Sequence, residues 1–229
     1  MATQVSTETL ANLRLRVREQ ADMVNSDFVS DEELTRYIQQ SYRKLYNLVI
    51  TAFGDWYTQD PVSFTISSGN EYTLDTDFYK LVGVDHDYNG NWVEIRSFNF
   101  NERNKRNSAP TAYGYHPILR YRLVGDKLRF IPTDQATGNF RYWYIPKPNV
   151  PVDDTDTIEG YNGWDQYVVL DAAIKCLVKE ETDVTELMQE RAQAEQDILI
   201  NAQTRDEGDT ETVEDVSSYY DNSDGDVYW

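Results

Sequence analysis

The feature that most constrains this 229-residue chain is a change of period. Apolar residues recur at helical spacing up to Trp56, alternate from Pro61 to about Pro151, and return to helical spacing beyond. Side chains share a face every 3.6 residues in a helix and every second residue in a strand, so the middle block cannot continue the helices around it. Helices on both sides of an insertion pack together most simply. The expected fold is therefore α+β, with a helical bundle base formed by N- and C-terminal helices, an inserted antiparallel β-rich domain and an extended C-terminal tail. The divisions fall at 1–60, 61–151, 152–205 and 206–229.

Within 7–24, Leu10, Leu13, Val17, Ala21 and Val24 lie at helical spacing. Ser30 with Glu33 forms a capping-box pattern opening a long helix. Its stripe runs through Leu34, Tyr37, Ile38, Ser41, Leu45, Leu48, Val49, Ala52, Phe53 and Trp56, before Gly54 and Pro61 end it. In the β block, "SFTIS" and "EYTL" flank "SGN", predicting a short turn. "LVGVDHDY" and "NWVEIRSF" flank Asn89-Gly90, and "ILRYRLV" and "KLRFIP" flank Gly125-Asp126, predicting two hairpins. "GNFRYWYIP" reads as a last strand, and the polar stretch between the hairpins as an excursion or short helix. A helix then carries Tyr167, Leu170, Ala173, Ile174, Leu177 and Val178 on one stripe. A final one, about 183–204, carries Leu187, Met188, Arg191, Ala194, Glu195, Ile198 and Ala202.

Charge narrows the function. With 40 acidic and 21 basic residues the net charge is −19, which argues against ordinary sequence-reading DNA binding. Nine of the acids fall in the last 24 residues, so the remainder is nearer −10. The 17 tyrosines favour extensive contact surface, since Tyr buries a large ring while keeping a polar end. No apolar run reaches the length of a membrane helix, and the N-terminus lacks a secretory pattern, which points to the cytoplasm and to no membrane partner.

Catalytic chemistry finds little support. HExxH, GxSxG, Walker A and CxxC patterns are absent. His86 stands between Asp85 and Asp87, which would raise its pKa or join it on a metal, or else it is a surface hairpin histidine. His116 has no partner in sequence, and Cys176 falls beside an apolar stripe as a small buried residue. The acid clusters Asp153, Asp154, Asp156 and Asp221, Asp224, Asp226 read as solvated carboxylates. No catalytic residue, cofactor or metal site is expected. Arg14, Arg16 and Arg18, and Arg103, Lys105 and Arg106, are either solvated faces or charge contacts to neighbouring identical subunits.

The order of signals resembles the head-to-tail adaptor (connector) proteins of tailed bacteriophages. Over roughly 30–205, the sharpest parts are "LRFIP…YWYIPKP" and "GWDQYVVLDAAIKCLVKEE". The resemblance implies a non-enzymatic protein of the virion neck, between capsid vertex and tail, assembled in the host cytoplasm. It implies a ring, commonly of about twelve copies, bound beneath the portal. That ring would extend the DNA channel, pass genomic DNA without sequence-specific binding, and attach tail or nozzle proteins. The alternatives are another neck or tail-completion protein, or a carbohydrate-binding or carbohydrate-cleaving virion protein using Tyr- and Trp-rich β surfaces.

Ordering residues 206–229 costs more than burying their few large apolar side chains returns. That segment is expected to dock on the portal or an adjacent subunit upon assembly, anchored by Tyr219, Tyr220, Val227, Tyr228 and Trp229.

Overall fold

The structure is a computed structural model that describes residues 8–104, 118–158 and 163–203. The first helix, α1 (Leu10–Gln20), starts at Thr9, whose side chain accepts from the Asn12 N–H at 3.3 Å. It buries Leu10, Leu13 and Val17 and ends before the expected stretch does. The chain turns at Asp22, with φ 53°, and leaves Val24 52% exposed instead of on the stripe. The second helix, α2 (Asp31–Ala52), is capped by Ser30, which accepts from the Glu33 N–H at 3.3 Å. Only half the capping box forms, because the Glu33 carboxylate is taken by Tyr37 Oη at 2.9 Å and Lys179 Nζ at 2.6 Å. Phe53 is already extended, so Trp56 lies in the turn beyond the helix.

The third helix, α3 (Asp165–Lys179), runs antiparallel to α2, from the Trp56–Trp164 contact (5.0 Å) to the Glu33–Lys179 pair. It packs against both earlier helices and against α4 (Thr185–Gln203), which returns alongside it. Enclosure on several sides buries Val168, Val169 and Ala172 off the expected single stripe, while Val178, on that stripe, is exposed. In α4, Ile198 and Ala202 are buried and Met188 is exposed. These helices share one core that also buries the rings of Tyr42 and Tyr46.

All seven strands among the described residues pair antiparallel. One sheet has the order β1-β7-β3-β4, formed by Val62–Ile66, Gly138–Pro146, Phe78–Tyr88 and Asn91–Glu94. The other, β2-β6-β5, comprises Glu71–Thr73, Lys127–Ile131 and Arg120–Val124. Both predicted hairpins form. Asn89 and Gly90 take φ 55° and 85°, as a tight turn matched to strand twist requires. The "SGN" turn does not make a hairpin, however. Phe64 of β1 pairs with Phe140, and Tyr72 of β2 with Leu128, so the chain crosses between sheets there. The reward is a ring stack between the sheets, Phe64 on Tyr72 at 3.8 Å, within a second core of Val84, Leu128, Phe130, Phe140 and Tyr142.

The two cores meet at the end of β7. Ile145, fully buried, enters the helical core, while Tyr142 three positions earlier, on the opposite face, serves the β core. Tyr46 Oη donates to the Pro146 carbonyl at 2.6 Å and its ring stacks on Tyr57 at 4.2 Å. The Gln59 N–H donates to the Tyr144 carbonyl at 3.1 Å.

Candidate functional site

The arginines singled out on α1 are engaged within the chain. Arg14 pairs with Asp154 of the connector, and Arg16 with Asp165 at the start of α3 and with Gln166 (2.7 Å). Arg18 reaches Asp31 at 2.8 Å and the Ser26 and Val29 carbonyls at 2.9 Å each. Together they tie α1 to three other segments. Nor is the Asp153–Asp156 cluster simply solvated: Asp156 accepts from the Val152 and Asp153 N–H groups at 2.9 Å each. Those bonds hold its carboxyl below the usual range.

His86 shows which effect wins between burial and charge. Its ring lies 4.8 Å from that of Phe140, and burial pushes its pKa down more than Asp87 raises it. Of the alternatives for His86, a raised pKa is therefore not the one realised. Asp85 is diverted to Arg141 Nε at 2.7 Å and Trp143 Nε1 at 2.9 Å. Among the described residues no group of three His, Cys, Asp or Glu could hold a metal. Burial pushes the Cys176 thiol up to about 11, leaving it protonated and unreactive at neutral pH.

What the structure offers instead is surface. On the outer face of β1-β7-β3-β4, the Arg141 guanidinium sits 4.5 Å from the Trp92 ring centroid and 5.3 Å from that of Trp143. Beside it the β3–β4 hairpin exposes Tyr88 (65%) and Val93. The outer face of β2-β6-β5 is cationic. Its register sets Arg122 opposite Arg129 and Val124 opposite Lys127, with Leu128 and Phe130 turned inward. Glu71 pairs with Arg129 (2.8 Å to Nε) and Lys127 (3.4 Å). Arg103, exposed, lies 4.6 Å over the Phe100 ring. This face was missed in the sequence, although its signal was there: the alternating cations of "RYRLVGDKLR" fall on one side of a hairpin.

His116, Lys105, Arg106, Tyr219, Tyr220, Val227, Tyr228 and Trp229 lie outside the described residues.

A family model described as SU10 adaptor protein matches residues 8–215. The chain belongs to the SU10 adaptor protein family. The match takes in α1 and extends ten residues beyond the 30–205 span of resemblance at its C-terminal end. No match was found among curated proteins. Membership makes this a phage adaptor, a structural component of the virion neck. For an adaptor protein the functional parts are its contact surfaces. No helix among the described residues is long and apolar enough to cross a membrane.

Proposed function

We propose that this adaptor protein assembles with copies of itself into a ring beneath the phage portal, commonly of about twelve copies. The ring extends the DNA channel, lets genomic DNA pass without sequence-specific binding, and offers an attachment surface to tail or nozzle proteins. It carries out no catalysis and takes no cofactor. The observation that carries this reading is the family match across 8–215, which spans the helical base and the β domain together.

Charge supports self-assembly. Residues 61–151 hold eleven Lys and Arg against nine Asp and Glu, a net of +2, whereas 152–205 hold four against thirteen, a net of −9. A chain with acid and base on different parts attracts copies of itself head to tail, and such contacts close into a ring when the rotation permits. Arg103, with Lys105 and Arg106, supplies the basic side of that contact. Arg14, Arg16 and Arg18 act through the acidic connector and α3 start that they hold in place. Residues Tyr219, Tyr220, Val227, Tyr228 and Trp229 anchor the C-terminal segment on the portal or an adjacent subunit.

The test is the mass of the purified protein, alone and mixed with portal rings, by light scattering and negative-stain imaging. Conversion to a ring on the portal is expected. A chain that binds tail proteins but never the portal would mark a tail-completion protein instead.

A further inference from the structure

We propose that, in the unassembled chain, residues 204–229 dock onto the cationic outer face of the chain's own β2-β6-β5 sheet. The landing place is the groove between Arg103 and Arg129.

That groove, about 390 Å³, is lined by Phe98, Phe100, Ile131, Arg103, Arg129 and Thr133, among others. Its chemistry is distinctive: one exposed ring, Phe100, between two guanidinium groups in a protein of net charge −19, with Phe98 and Ile131 buried behind it. Phe100 is 39% exposed. Arg120, Arg122, Lys127 and Arg129 share the same sheet face through their cross-strand register. Among ion pairs between described residues, Glu71 is the carboxylate that meets this face. The Glu71–Arg129 pair is itself part-exposed, at 33% and 43%, so it is weak and can yield to another carboxylate.

The occupant must therefore be acidic and aromatic together. Residues 206–229 carry nine Asp and Glu, no Lys or Arg, and end "SSYYDNSDGDVYW", with rings set among carboxylates. An aromatic side chain fits against the exposed Phe100 ring and the carboxylates fit the flanking arginines.

Reach decides in favour of the same chain. Because α4 runs antiparallel to α3, Gln203 finishes towards the Trp164 end of the bundle, which is the end that meets the β domain. The groove lies near Thr133, a few residues from Gly138 at the far end of β7. The nine residues of β7 span about 30 Å. The 26 residues after Gln203 can span up to about 88 Å. A tethered segment that can span the distance sees its site at high effective concentration, far above that of another copy in dilute solution.

The proposal stands apart from ring formation, since it concerns the isolated chain. The experiment places a photo-crosslinking phenylalanine at Tyr228 in the full-length protein and maps the products by mass spectrometry. An equal mixture of light and isotope-labelled chains separates crosslinks within a chain from those between chains. Crosslinks within one chain to Phe98–Asn104 or Arg129–Thr133 are expected, falling about tenfold in Arg103→Glu, whose side chain is exposed. High salt should reduce them as well, and circular dichroism checks that the variant keeps its fold. Crosslinks to the helices, crosslinks between chains, or a yield that Arg103→Glu leaves unchanged would overturn the proposal.

Discussion

At the scale of single residues, Asp171 is the most deeply buried charge among the described residues. It sits in mid-helix, 1% exposed, where an unpaired carboxylate would be untenable. Ser41 Oγ donates to it at 2.8 Å, and Lys175, Lys44 and Arg191 approach within 2.9 to 3.0 Å, drawing α2, α3 and α4 together. Burial disfavours the ionised form, but the hydrogen bonds from Lys175, Ser41 and Lys44 outweigh it and hold the carboxyl well below its usual range. Asp171→Asn leaves those cations uncompensated, and should cost about 3 kcal/mol in urea unfolding. His86 makes a different prediction. Its folded pKa is lowered from 6.5, so the unfolded chain binds more protons in the range just below that value. The stability it contributes is complete above about pH 6.5 and falls as the pH drops towards the folded value. In His86→Gln, unfolding midpoints should lose that slope while keeping the carboxylate-driven loss at lower pH. Asp171 was legible only in part. The Asp171–Lys175 spacing of four is a helical pairing signal, but Ser41, Lys44 and Arg191 come from helices whose approach no local pattern records.

At the scale of elements, a cap and a tight turn were legible locally, whereas helix ends at Val24 and Trp56 and the pairing of distant strands were not. Ser30 capping α2 and Asn89-Gly90 closing β3 on β4 follow from chemistry within a few residues. Ser30→Ala should cost about 1 kcal/mol, read from the thermal midpoint, since the Glu33 N–H loses its acceptor. The expected short turn between β1 and β2 forms, with Gly69 at φ 82°, but which strands pair is settled elsewhere: Thr65 meets Asn139, 74 residues on. No turn signal reports that. The stripe on α3 misled for a related reason. A helix enclosed by three others needs small or apolar residues all round, so its periodicity fades into a continuous apolar run. The Arg14, Arg16 and Arg18 series likewise reads as a surface pattern until α3 and the connector arrive to cover it.

At the scale of the whole molecule, two cores are coupled through few groups. Ile145 is the deepest of them, contributed by a strand of one core to the interior of the other. Ile145→Ala should lower stability by about 3 kcal/mol. It should also raise hydrogen exchange at the C-terminal end of α2 and at the last residues of β7 together. Exchange that rises in only one of these places would show that the cores open independently. A surface substitution such as Arg43→Ala, on the exposed side of α2, should change neither.

The placement of β7 has a mechanical consequence. It is flanked by β1 on one side and β3 on the other, and it is the strand that enters the helical base. A pull between the base and the far end of the β domain therefore runs along β7 and loads both neighbouring ladders in shear. Bonds loaded that way resist together, whereas a pull across the strands would part them one by one. Held at its base and at the far end of its β domain, the chain would act as a stiff tie.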